Sequence, residues 1–205
     1  KSDIEWQKIY ESSLIPPQGI YTTHEFYSIK KIGISGYIIG GLTGIADQDF
    51  WLVKTDVSGN IEWQNTYGGE NYEKLKGLAT TSDGGYIATG YTLTYSSNGD
   101  ADIWLLKVDK NGQQEWYKNF GTSFAEEGRA VIQTIDGGYA IVGRYAYENG
   151  YADGWLIKTN SNGILQWDIK LKAGDSVKSN HLFDIHQNED GSLIVAGHVA
   201  TGDDF

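Results

Sequence analysis

Between Glu73 and Phe120 the apolar residues fall into four short runs, Glu73–Thr81, Gly85–Leu93, Asp102–Asp109 and Gln113–Phe120. β-Branched and aromatic residues dominate each run, and turn formers separate them. Runs of this length with these separators predict β-strands. Between the third and fourth runs lies "DKNGQ". Asp opens such a turn, and Gly takes the left-handed position that a Cβ disfavours. "DGG" plays a similar part between the first and second runs. The prediction is a four-stranded antiparallel meander.

The pattern recurs along the chain. "DIWLLKVDKNGQQEW" (Asp102–Trp116) has counterparts in "DFWLVKTDVSGNIEW" (Asp49–Trp63) and "DGWLIKTNSNGILQW" (Asp153–Trp167). "SDGGYIATG" (Ser82–Gly90) returns as "IDGGYAIVG" (Ile135–Gly143), with weaker copies at Ile34–Gly41 and Glu189–Gly197. The expected organisation is an outer strand over 4–10, whole units over 25–67, 73–120 and 126–171, and a partial unit over 180–205. Four-stranded units of about 50 residues repeated around an axis predict an all-β fold, a β-propeller with four-stranded antiparallel blades. A stacked solenoid is the alternative, although its repeats are usually shorter or helical.

The segment K-x-D-x-x-G-x-x-x-W (Lys54–Trp63, Lys107–Trp116) resembles the tryptophan-docking motif of quinoprotein-type, PQQ-like propellers. The third copy, Lys158–Trp167, has Asn160 in place of Asp, which can start the same turn. The resemblance implies blade architecture and says little about chemistry. The adjacent Cys pair typical of many quinoprotein dehydrogenases has no match, so a quinone site does not carry over. All seven Trp are repeat positions: Trp6, Trp63, Trp116 and Trp167 take the outer-strand docking position, and Trp51, Trp104 and Trp155 the third strand. Gly41, Gly90, Gly143 and Gly197 recur in the second strand, where a bare backbone is expected to let a large ring lie flat. The "DGGY" and "W-L-x-K-x-D" repeats also resemble secreted or surface-anchored bacterial and archaeal proteins, which implies an extracellular or envelope location.

Charge narrows the partners. The formal net charge is −11. Nucleic-acid binding needs clustered Lys and Arg, and an anionic membrane surface would repel this chain. Cations, sugars and basic partners stay open. There is no Cys, hence no disulfide or thiol chemistry. No apolar run approaches a membrane span. The chain has no initiator Met and reads as a mature or truncated piece. Lys1–Tyr10 matches Ser58–Tyr67, and the closing "TGDDF" matches the residues before Trp51. An N-terminal outer strand that completed the last unit would close a four-unit ring with one strand missing. Strand two of that unit, Ser192–Val199, would then keep an unpaired edge open to a further strand or a second chain.

Candidate chemistry sits in the loops that follow strands two and four. Asp47 with Asp49, Asp100 with Asp102, and Asp203 with Asp204 supply hard oxygen ligands of the kind Ca²⁺ takes, so calcium is the candidate cation. The bland alternative is that each Asp caps a turn. Tyr91, Tyr95, Tyr145, Tyr147 and Tyr151, together with Asp100, Asp102 and Asp153, offer flat rings beside polar groups, as a glycan site would. The loop Glu11–Glu25 is longer than its counterparts and holds both prolines, which makes it a candidate for specific function. Catalysis has less in its favour. The four His (His24, His181, His186, His198) have no ligand spacing, and Glu126 and Glu127, adjacent in a strand, would point oppositely. The leading expectation is a non-catalytic interaction or scaffold module with a protein or glycan partner. A glycan- or calcium-binding propeller comes second and a propeller lyase or glycosidase third.

Overall fold

A computed structural model of the chain describes residues 7–11, 22–45, 47–96, 99–148, 151–172 and 177–201. Among these residues there are fourteen strands and no helix. The first unit holds β1 (Thr23–Ile32), β2 (Gly36–Gly44), β3 (Gln48–Thr55) and β4 (Ile61–Tyr67). The second holds β5 (Glu73–Thr80), β6 (Tyr86–Thr92), β7 (Asp102–Val108) and β8 (Gln114–Phe120). The third holds β9 (Glu127–Gln133), β10 (Tyr139–Ala146), β11 (Ala152–Thr159) and β12 (Leu165–Leu171), and it is followed by β13 (Val177–Gln187) and β14 (Leu193–Thr201). Each complete unit is an antiparallel meander in chain order. β13 and β14 form a hairpin joined to β11 by one parallel bridge, Ala152 to Ser179.

The turns follow from their sequences. Gly59, Gly112 and Gly163 have φ of 76°, 77° and 72°. In each turn the Asp or Asn three residues earlier accepts two backbone N–H bonds through one oxygen. Asp109 Oδ1 accepts from Asn111 and Gln113, both at 2.8 Å, and Asn160 Oδ1 accepts from Asn162 and Ile164, both at 3.0 Å. A single side-chain oxygen is all the turn asks for, which is why Asn replaces Asp without changing it.

The same logic ties "W-L-x-K" to "DGG". The Lys107 side chain is 2% exposed, and its ammonium lies 2.9 Å from Asp83 and 2.6 Å from Glu115. Lys158 meets Asp136 at 2.8 Å. The first unit has no Asp in its corresponding turn, and Lys54 pairs with Glu62. A lysine in the third strand thus reaches back to the turn between the first two strands and locks the meander.

The units pack face to face in order. Phe50, Leu52 and Ile38 of the first meet Leu75, Leu78, Trp104 and Leu106 of the second. Ile87, Ile103 and Leu105 of the second meet Val131, Ile141 and Trp155 of the third. Leu182 and Ile185 of β13 cover Ala140, Val142 and Leu156. Inter-unit bonds repeat with the packing. Ser82 N–H donates to Gln133 at 2.7 Å, and Ile135 N–H donates to Gln187 at 2.8 Å.

The Trp docking has a visible basis. A Cβ placed on Gly112 would lie 2.9 Å from the Trp63 ring, and one on Gly163 would lie 2.7 Å from the Trp116 ring. The bare turn of each following unit therefore seats the outer-strand ring of the preceding one. Tyr67 adds an O–H bond to Gly112 O at 2.7 Å. Tyr10, its counterpart by alignment, bonds Gly59 O at 3.1 Å, so the N-terminal segment approaches the first unit as β4 approaches the second. The described part of that segment, 7–11, forms no strand. Among the described residues β14 pairs only with β13, and the sheets do not close on themselves. Among the described residues no following turn lies against Trp167, which is 41% exposed. Trp6 lies outside the described residues.

Gly41, Gly90, Gly143 and Gly197 are constrained by backbone, in place of the ring contact expected. A Cβ there would overlap the carbonyl oxygens of Glu25, Lys74, Glu127 and His181. The cause is a bulge in each first strand. One residue is skipped in the pairing at Tyr27, Lys76, Arg129 and Phe183. A bulge bends its strand and re-aims the side chain of the extra residue.

Candidate functional site

The bulges build a continuous row of side chains across the first strands of all four units. Lys74 and Lys76 hold their ammonium groups 4.8 and 4.5 Å from the centre of the Tyr27 ring. Lys74 is also 3.9 Å from Glu25, which accepts a hydrogen bond from the Tyr27 hydroxyl. Glu127 lies 3.8 Å from Lys76, 3.0 Å from Arg129 and 3.7 Å from Arg144. The Arg129 guanidinium sits 4.7 Å over the Phe183 ring, and Phe183 stacks on His198 at 5.2 Å. Burial, then the charges of Arg129, Arg144 and His198, lower the His181 pKa to about 4, so that ring is neutral at physiological pH. Next to this row, a cleft of about 420 Å³ opens between β5, β9 and the loop after β6. Lys74, Lys76, Tyr91, Asp100, Glu127 and Arg144 are among its walls.

The loop carboxylates have a different part. Glu73 is buried and accepts from Gly69 N–H at 3.0 Å, Thr92 Oγ1 at 2.7 Å and Thr94 N–H at 3.1 Å. It ties the loop before β5 to the loop after β6. Glu126, its counterpart, accepts from the N–H and hydroxyl of Thr122. Burial first, and the charge of Asp102 among the rest, raise the Glu126 pKa. Glu126 lies just before β9 and bonds Thr122, whereas Glu127 opens β9 and meets Lys76, Arg129 and Arg144.

Asp49 faces Glu73, and its buried Oδ1 has no hydrogen-bond partner. Burial, then Glu73 and Asp47, push its pKa to about 6. For a carboxyl raised from 3.8, the native state binds the proton more tightly than the unfolded chain does. The stability this group contributes is therefore fully present below about pH 4 and is lost as pH rises through about 6. Asp49→Asn removes the charge and lets an amide donate toward Glu73. It should add roughly 1–2 kcal/mol at pH 7 and flatten the decline between pH 4 and 6.5 in urea titrations, after a discount for the part of Asp49 that stays in water. An unchanged profile would remove Asp49 as its source.

The other expected site residues are spread over the units. Tyr95 stacks on Trp104 at 5.5 Å and Tyr117 at 4.8 Å and bonds Gly68 O at 2.9 Å, so packing occupies it. Asp102 is buried. The Tyr147 hydroxyl bonds Asp153, and its ring packs edge-on to Tyr145 at 5.1 Å. Tyr151, Asp47 and Asp100 are exposed. Asp203, Asp204 and most of the Glu11–Glu25 loop lie outside the described residues. Among the described residues no three His, Asp or Glu side chains gather as a metal cage would need.

The row itself was missed. Its signal lies in register: aligning the units on Gly41, Gly90, Gly143 and Gly197 places Glu25, Lys74, Glu127 and His181 at one position. Tyr27, Lys76, Arg129 and Phe183 fall at the next outward one. A fixed glycine opposite a position that changes chemistry in every unit marks a frame with a variable insert.

No protein-family model matches the chain, and no curated protein matches it in sequence. Solved structures do. A protein of unknown function from Bacteroides caccae is 14% identical, with a TM-score of 0.56 over 88% of this chain and 54% of its own. One from Dyadobacter fermentans is 10% identical, with a TM-score of 0.57 over 88% of this chain and 64% of its own. The chain thus spans less than two thirds of either structure. At these identities the likeness concerns the fold alone.

Proposed function

We propose that the chain is an arc of a tryptophan-docking β-propeller that works as a non-catalytic recognition module, outside the cell or in the envelope. One observation carries this reading. Every first strand bulges at the same place, and each bulge presents a different side chain: Tyr27, Lys76, Arg129 and Phe183. In a radial arrangement the first strands lie around the axis. The packing of β1 on β5, β5 on β9 and β9 on β13 supports that placement, and so do the inter-unit bonds that recur from one unit to the next. A fixed scaffold with a variable row suits recognition, because specificity can change there without disturbing the core. Among the described residues β14 pairs only with β13, and its other edge would accept a further strand, from more of the same protein or from a second copy.

The test is a binding screen over envelope proteins and glycans, with K76A/R129A as control. Binding that the double variant loses while keeping its melting temperature is the expected result. Absence of any ligand, or recovery of the ligand cleaved, overturns the reading.

A further inference from the structure

We propose that the cleft between β5, β9 and the loop after β6 binds a carboxylate-bearing sugar, a uronic acid unit; this rests on the recognition reading above and names its ligand class. The chain has 16 Lys and Arg against 27 Asp and Glu, yet four of its cations, Lys74, Lys76, Arg129 and Arg144, gather in one place. The carboxylate at their centre is Glu127. Glu25 pairs with Lys74 at 3.9 Å from a half-exposed position and acts on Lys76 from farther off. Like charges held this close raise each other's energy unless counter-charge arrives. Lys76 is affected: burial first, then Lys74 and Arg129, lower its pKa even though Glu127 and Glu25 oppose the shift.

A second, independent observation points the same way. The Nε atoms of Arg129 and Arg144 are buried and have no hydrogen-bond partner; that of Arg144 lies 3.7 Å from Glu127, beyond hydrogen-bond reach. A buried donor without a partner is costly, and it is uncommon where nothing is meant to fill it. Arg144 lines the open cleft together with Lys74 and Lys76. Lys74, Lys76 and Arg144 therefore face a space that a ligand can enter, and Arg129 stands behind them, outside the lining and against Glu127.

The character of the anion follows from the walls. Glu127 already demonstrates that a planar carboxylate fits among these guanidinium and ammonium groups, and the Arg fork matches that shape. Asp100 and the buried Glu126 also line the cleft, and the chain carries −11 overall, which opposes phosphate-rich polyanions. Asp100 is exposed and can accept hydroxyl donors. Tyr91, braced by Tyr72 at 5.9 Å with the rings nearly parallel, gives one wall a flat face. Hydroxyl acceptors, an aromatic face and a cation clamp in about 420 Å³ match one charged sugar ring and its neighbour.

The test is calorimetric titration with trigalacturonate, its methyl ester and inorganic phosphate. The acid should bind, the ester at least tenfold more weakly, and phosphate should not compete at equal concentration. Arg144→Gln and, separately, Lys76→Gln should each weaken acid binding at least tenfold. Two sites are used so that one misfolded variant leaves the other to decide. Equal binding of acid and ester overturns the carboxylate assignment, as does competition by phosphate. Full-strength binding by both variants overturns the site. If the screen finds a different ligand through Lys76 and Arg129 while trigalacturonate fails, only the ligand class is lost and the recognition reading stands.

Discussion

Trp104→Ala should destabilise the protein by about 3–5 kcal/mol in urea unfolding, the range for a large aromatic deleted from a core. Trp104 is 1% exposed and sits at the seam of the first two units, with Phe50 at 4.6 Å and Tyr95 at 5.5 Å. Its removal opens a cavity that both sheets line and that neither can close alone. Trp104→Phe should cost much less than the change in volume implies. The indole N–H is buried and has no partner, whereas Trp51 donates to Gln64 at 3.1 Å and Trp155 to Asp168 at 2.8 Å. The acceptor position in the second unit holds Tyr117, and Phe removes the unpaired donor along with the atoms. Trp167→Ala, at an exposed copy of the outer position, should cost under about 1 kcal/mol. A loss at Trp104 no larger than that at Trp167 would show that the seam does not hold the units together.

The D83A/E115A double substitution should cost a similar amount, about 3–5 kcal/mol, because it leaves the Lys107 ammonium buried with only the Val108 carbonyl at 3.2 Å. Each single change should cost less, since one carboxylate remains. D83N/E115Q keeps the turn bonds and separates the charge effect from the turn. Adding Lys107→Met to D83A/E115A should restore much of the loss, as an apolar chain no longer needs a counter-charge. If it does not, the cost came from the turn. The pair also has a pH signature. Burial pushes Asp83 up, but hydrogen bonds from Thr81, Lys107 and Gly85 outweigh it and hold the pKa at about 2. Lys158 and Thr134 hold Asp136 at about 2 as well. Both folded values lie below 3.8, so the stability they contribute is present above about pH 4 and lost as pH falls toward 2. Acid therefore acts on these turns in the opposite sense to its effect at Asp49.

Strand number, strand order within a unit and turn chemistry are local properties, and the chain carries them in local code. Alternation, "DGG" and the K-x-[D/N]-x-x-G turn need nothing beyond a few neighbouring residues. Their repetition made even the Gly59, Gly112 and Gly163 conformations readable in advance. The reason for Gly90 was not readable, because it depends on the carbonyl of Lys74, brought near by a bulge that strand pairing alone creates. The same holds for function. Asp100 and Tyr95 stand out as loop residues, but packing turns Tyr95 inward. Lys74, Lys76, Arg129 and Arg144 look like solvated strand charges when read singly. Only the stacking of successive units places them around Glu127, because their separation is long in sequence and short in space. The sequence by itself determined the four-stranded unit and its turns. The tertiary structure decided which faces meet, and thereby which charges have to share a site.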